Sequence, residues 1–488
     1  MMLRLYSWVM WLVQPLLRRK LQRRAVAEPG YGEAIEERFG YYTPPAQAAQ
    51  RMAPAPAVEG GDPRLVWVHA VSLGETRAVA VLVAQLRSQW PGMRLLLTHG
   101  TATGRAQGRA LLQPGDVQVW QPWDTPGAVG RFLAHFRPRV GLLVETEVWP
   151  NLVAGCAHAG VPLCLVNARL SDKSLRQVQR LAWLSRPAYR GLAAVWAQSA
   201  GDAARLRLLG APVQGVLGNF KFDATPDVAQ LAQGRAWRQA CARPVVMFAS
   251  SREGEEQLLL DILKQKKALA PVECAQAAIK NVAKAAVQWL IVPRHPQRFD
   301  AVAALFASHG FTVARRSAWA DAPPQADIWL GDSLGEMALY FGMADVALLG
   351  GSFAPLGGQN LIEAAACGCP VLMGPHTFNF AEATALAQAA GAAFAQPDLP
   401  TAVEQALALV HTPAALAQAR SAALSWSQAH RGAAQRTAAA VKGLLSHSVS
   451  ADQSAALLEA LNAFDDGFGA LLEASRKEQA PMQDRESL

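Results

Sequence analysis

The stretch Ala344-Asp-Val-Ala-Leu-Leu-Gly350-Gly-Ser-Phe-Ala-Pro-Leu-Gly-Gly-Gln-Asn360-Leu-Ile-Glu363 runs from a short apolar segment through a glycine-rich loop into a helix start. An apolar run this short, closed by glycine, reads as a strand of a parallel sheet buried on both faces. Glycines such as Gly357 and Gly358 let the backbone come close to a phosphate, and the N–H groups opening the next helix favour its negative charge. Glu363, nearly one turn into that helix, is placed to reach ribose hydroxyls. The loop lacks the Gly-Lys-Ser/Thr ending of a Walker loop and fails the G-x-G-x-x-G dinucleotide spacing.

Outward from this stretch the same pattern repeats. Apolar runs begin at Pro244 (PVVMFAS), Trp289 (WLIVP), Asp327 (DIWLG), Ala344 (ADVALLG) and Pro370 (PVLMG). An earlier series begins at Leu65 (LVWVHA), Arg94 (RLLLT), Val140 (VGLLVE), Val161 (VPLCLVN) and Ala194 (AVWAQS), with a helical pattern from Thr76 to Trp90. Such alternation predicts an α/β protein of two doubly wound, Rossmann-like parallel-sheet domains. The 488-residue length fits, since one core rarely organises so long a chain. The expected organisation is a membrane anchor with a basic flank over 1–24, a helical or linker segment over 25–64, one sheet domain over 65–228, a second over 243–445, and a partly disordered extension over 446–488. Two such domains imply a cleft, and ligands of open α/β sheets collect beyond the carboxyl ends of the strands.

At those ends stand the candidate reactive groups. The first strand leads into His69-Ala-Val-Ser-Leu-Gly-Glu75, and the run at Val140 into Glu145-Thr-Glu147-Val-Trp149-Pro-Asn151, so acids converge on one sheet edge. Paired carboxylates suit a base for an attacking hydroxyl and negative charge beside a cationic transition state. Asn167-Ala-Arg169-Leu-Ser-Asp-Lys173 and Gly218-Asn-Phe-Lys221-Phe-Asp223 bring cations to the same side. In the second half, Ser250-Ser251-Arg252-Glu-Gly-Glu-Glu256 opens a helix where hydroxyls and N–H groups can hold a phosphate. Pro293-Arg294-His295-Pro296 offers an arginine clamp, and Gly331-Asp-Ser-Leu334-Gly335-Glu336 a helix start suited to a base edge or phosphate.

With 51% hydrophobic and 17% charged residues the chain reads as globular, and its net charge of +8 points to an anionic partner. Neither a concentrated basic helix nor aromatic–basic interleaving marks a nucleic-acid binder. The six cysteines lack zinc-type spacing, and no acidic pair or histidine cluster demands a metal, so no metal site and no cofactor is expected. At the N-terminus the apolar stretch Leu5–Leu17, interrupted by Gln14 and Pro15, precedes Arg18, Arg19, Lys20, Arg23 and Arg24. The charges predict an anchor with the body on the inner side, either a short span or a helix lying on the membrane.

Taken in order, HAVSLGE, VETEVWPN, NARLSDKS, GNFKFD, SSREGEE, PRHPQRF, GDSLGEM and GGSFAPLGGQNLIEAAACGCPV resemble the motif series of bacterial 3-deoxy-D-manno-octulosonic acid (Kdo) transferases. The resemblance implies a GT-B fold, CMP-Kdo as donor, lipid A precursor as acceptor, inverting transfer without a metal, and a place at the cytoplasmic face of the inner membrane. It further implies Glu75 as the base, Glu145 and Lys221 as transition-state stabilising groups, and a CMP site made by Pro293, Arg294, Leu334, Gly335, Glu336, Asn360, Leu361, Ile362 and Glu363, beside Ser250, Ser251, Gly357 and Gly358. The sequence departs from the family at Ala249, where glycine is expected, at Ser251-Arg252, where Thr-His is expected, and at Gln359, where histidine is common. Two other readings compete: a GT-B enzyme that transfers or epimerises a UDP-sugar, and a non-catalytic membrane protein that binds acidic lipid.

Overall fold

The computed structural model describes residues 2–42, 64–276 and 287–446. The expected linker from Thr43 to Pro63, the end of the Ala and Lys-rich stretch Lys264 to Ala286, read from sequence as helix or surface insertion, and the extension beyond residue 446 lie outside the described residues. The chain divides into two compact units, Met1–Leu217 with the chain from Ala434, and Gly218–Ala433.

The first unit holds seven strands: β1 (Leu65–His69), β2 (Arg94–His99), β3 (Val117–Trp120), β4 (Val140–Val144), β5 (Leu163–Ala168), β6 (Ala194–Ala197) and β7 (Val213–Val216). They form a parallel sheet in the order β3-β2-β1-β4-β5-β6-β7. The order reverses between β1 and β4, which creates a switch point at their carboxyl ends. The helix Leu73–Gln89 buries Val79, Leu82, Val83 and Leu86, the i, i+3, i+4, i+7 stripe of an amphipathic helix. Trp67 of β1 meets Phe132 edge to face at 4.9 Å between centroids, in a core that also takes Leu96, Leu143 and Leu165. The last described helix, Ala433–Ser446, returns to this unit: Lys442 donates to the Gln89 carbonyl at 2.9 Å, and Gln89 donates to the Gln435 carbonyl.

The N-terminus forms one helix, Met2–Ala27, with Pro15 inside it and Leu21 as its buried residue. Trp8, Trp11, Leu12 and Leu16 are each about 60% exposed. No helix among the described residues is long and apolar enough to cross a membrane. The N-terminal run falls short because Gln14 and Pro15 interrupt it and five cations follow directly. The helix is held along both halves: Ser7 donates its hydroxyl to the Asn151 amide oxygen at 2.8 Å, and Leu21 packs with Tyr31 and Trp120, where Arg38 lies 4.1 Å over the Trp120 ring.

The second unit repeats the design with β8 (Val245–Ser251), β9 (Gln288–Pro293), β10 (Val313–Arg315), β11 (Ile328–Leu330), β12 (Val346–Leu349), β13 (Val371–Met373) and β14 (Ala393–Ala395). All neighbours are parallel, in the order β10-β11-β9-β8-β12-β13-β14. Its switch point lies between β8 and β12.

Candidate active site

The two switch points gather most of the residues singled out from sequence. In the first unit, the chain leaving β1 turns at Ser72, whose hydroxyl caps the helix Leu73–Gln89 by accepting the Glu75 N–H. Glu75 answers as the third helical residue. Its carboxylate accepts the Val71 N–H at 2.8 Å and the Ser72 hydroxyl at 3.0 Å, a relative of the capping box. This fixes the side chain where the order of the sheet reverses. Burial, together with the charges of Glu145 and Glu147, pushes the Glu75 carboxyl up to about 7, although the hydrogen bonds from Val71 and Ser72 oppose the rise.

Glu145 follows β4 directly, with a left-handed φ of 64°, and Arg169 approaches its carboxylate at 3.7 Å. Asn167, at the end of β5, has φ 50°, beside a register shift between β5 and β6. Left-handed backbone on branched-out side chains costs on the order of 1–3 kcal/mol each and persists where surrounding contacts impose it. Glu147 was not among the chosen site residues. It is partly buried, which raises its pKa, and it accepts the Trp149 indole N–H at 2.7 Å. His69 and His99, by contrast, are buried structural groups held neutral, pushed down by desolvation to about 3 and about 4.

In the second unit, Ser250 has φ 55° at a register shift between β8 and β9, and its carbonyl lies so close to Gly350 that a Cβ there would sit 2.4 Å from the oxygen. The glycine-rich loop therefore needs Gly350 to pass β8. Its backbone donors are not all turned to a ligand, however. The Glu255 carboxylate accepts the Gly351 N–H at 2.8 and 2.9 Å, the Ala354 N–H at 3.2 Å and the Arg252 N–H at 2.9 Å. Gly358 donates its N–H to the Gly351 carbonyl, and Asn360 caps the short helix Leu361–Ala366 by accepting the Ile362 N–H at 3.1 Å. The Ile362 N–H is thereby taken by the Asn360 side chain. Gly357, with φ 89°, is packed so tightly that a Cβ would meet the Asn379 amide at 2.2 Å. Ser251 is buried, donating its hydroxyl to Glu256 at 2.9 Å and accepting the Arg294 N–H on its carbonyl.

Arg294 is exposed at the end of β9, after Pro293. Desolvation, then the charges of Arg252, Arg294 and Arg298, lowers the His295 pKa. Arg252 also lies against Gly351, as Gln359 does, so these two of the departures from the family pattern are neighbours in space. Leu334 and Gly335 form an exposed turn, Gly335 at φ 82°, and Glu336 is tied to Arg316 at 2.7 Å and to Ser333. Lys221, grouped by sequence with the first domain, belongs to the second unit. Its neighbours Phe220 and Phe222 are buried, Phe222 within this unit's core, and the Lys221 ammonium stands 5.2 Å over Phe380, next to the Asn379 that packs on Gly357.

Two doubly wound units, each carrying polar and strained residues at its switch point, make this a two-domain α/β protein. A sequence model described as 3-Deoxy-D-manno-octulosonic-acid transferase (kdotransferase) matches residues 33–224, and a 3-deoxy-D-manno-octulosonic acid transferase of Bordetella pertussis is 47% identical over 85% of this chain and 93% of its own. The chain belongs to the Kdo transferase family. The Haemophilus influenzae transferase of the same name is 31% identical over 77% of this chain and 83% of its own. Among solved structures, the C-terminal CMP-Kdo binding domain of WaaA from Acinetobacter baumannii is 28% identical, with a TM-score of 0.35 over 41% of this chain and 100% of that one. MurG of the same organism gives 14% identity and a TM-score of 0.47 over 78% and 99% of the two chains.

Proposed function

We propose that this Kdo transferase takes the sugar from CMP-Kdo to a lipid A precursor by single displacement, with Glu75 as the base that deprotonates the acceptor hydroxyl. The carrying observation is the Glu75 carboxyl, held at a switch point by two hydrogen bonds and raised to about 7, where a base is both available and strong enough near neutrality. Glu145 supplies negative charge beside the sugar as positive charge develops. Lys221, Arg294 and Arg252 meet the phosphate of the departing CMP, a task for cations that needs no divalent ion in this reading. Leu334 to Glu336 and Glu363 contact the nucleoside. The exposed Trp8, Trp11, Leu12 and Leu16, followed by five cations, support a helix that lies in the cytoplasmic face of an inner membrane, where the acceptor is presented.

The test is an assay of purified protein in chelator with CMP-Kdo and tetra-acylated precursor, reading CMP release and product mass. A lipid heavier by whole Kdo units is expected. Folded protein that leaves this lipid unchanged, yet modifies another acceptor, overturns the acceptor; activity restored only by a divalent ion overturns the metal-free step.

A further inference from the structure

The first unit carries a groove of about 1020 Å³ that none of Glu75, Glu145 or Glu147 lines. It runs between the helices Pro126–Phe136 and Pro150–His158, and the start of the N-terminal helix, at Leu3, Arg4 and Ser7, forms its third wall. Its floor is apolar, with Val129, Leu133 and Val161. It stays open because the facing positions are small: Gly130 and Ala134 on one helix, Ala154 and Gly155 on the other. A Cβ built on Gly130 meets nothing within 4 Å. The first of these helices has eleven residues, so the slot is roughly 16 Å long.

Arg4, Arg137 and Arg139 border the slot, and no Asp or Glu does. Arg137 and Arg139 flank the far end, at the start of β4, and Arg139 is steadied 5.7 Å over the Trp90 ring. Leu5, Trp8 and Leu12 of the same helix are exposed apolar residues that do not line the slot. A long apolar slot with a cationic border is complementary to a single hydrocarbon chain carrying an anionic head.

We propose that this groove holds one acyl chain of an anionic phospholipid, its phosphate against Arg137 and Arg139. The site is separate from the reacting acids, and the proposal rests on the membrane-facing reading of the N-terminal helix. Lipid held here fixes the protein to the bilayer by extracting one chain rather than by spanning it.

The full chain, equilibrated with vesicles of phosphatidylglycerol or of phosphatidylcholine and re-isolated in mild detergent, is weighed by native mass spectrometry. Wild type is expected to retain one phosphatidylglycerol and at least tenfold less phosphatidylcholine. G130L/A134L, which fills the slot from one helix face without lowering the melting temperature, is expected to retain none while still sedimenting with vesicles. Retention by the filled variant equal to wild type, or equal retention of both lipids, overturns the proposal. Wild type that sediments with vesicles but retains no lipid overturns the groove alone and leaves the membrane-lying helix standing. Displacement of phosphatidylglycerol by stoichiometric lipid A precursor makes the slot part of the acceptor site and overturns the choice of occupant.

Discussion

At the scale of single residues, the proposed chemistry turns on a carboxyl that the fold keeps reluctant to ionise. Because burial raises Glu75 to about 7, and a base acts deprotonated, kcat/KM is expected to rise with pH through about 7 and then level. E75Q removes the proposed base and should lower kcat by about 10²–10⁴-fold with donor affinity kept, measured by CMP release and CMP titration. The same shift has a cost in stability. The folded state binds this proton more tightly than the unfolded chain, so the contribution is complete below about 4.5 and lost as pH rises through about 7. E75Q should therefore melt above wild type at pH 8 and with it at pH 4, by scanning calorimetry. At Arg294, the exposed cation after β9, R294A should raise the donor KM about tenfold, near the ~1.4 kcal/mol that a tenfold change represents, with kcat within about twofold. Glu75 was legible because a helix start after a strand is a place where sequence can be read locally. Its pKa was not, since its burial, and then the approach of Glu145 and Glu147, arise only through the sheet order.

At the scale of elements, the glycine-rich loop is shaped by a residue that sequence did not separate from its neighbours. Glu255 lies in a run of acids, Glu253 to Glu256, and nothing local distinguishes the one whose carboxylate collects the N–H groups of Arg252, Gly351 and Ala354. E255A leaves those donors unpartnered; a loss of about 2–4 kcal/mol is expected in denaturant melts, together with weaker CMP binding. The strands divide just as plainly. The ten interior strands all show as apolar runs because both faces are covered. The four missed, β3, β7, β10 and β14, are the edges of the two sheets, where burial is partial and the apolar signal breaks up. Lys221 was misplaced for a related reason: its turn is claimed by Phe220 and Phe222, and which core accepts two phenylalanines is a tertiary choice.

At the scale of the molecule, the donor separates this reading from its nearest rival: CMP should inhibit transfer competitively, whereas UDP at the same concentration should not, in a product-inhibition series. The helix Ala433–Ser446 has a further consequence. The second unit is one contiguous stretch, and the hydrogen bond from the Gly432 N–H to Asp223 draws its two ends together. On the ribosome it can complete itself as soon as it emerges. The first unit cannot, because its closing helix is made only after about 200 further residues, some tens of seconds at roughly 5–20 residues per second. During that interval the half that carries Glu75 is a nascent domain short of its last piece, and the half translated second is the first to be finished.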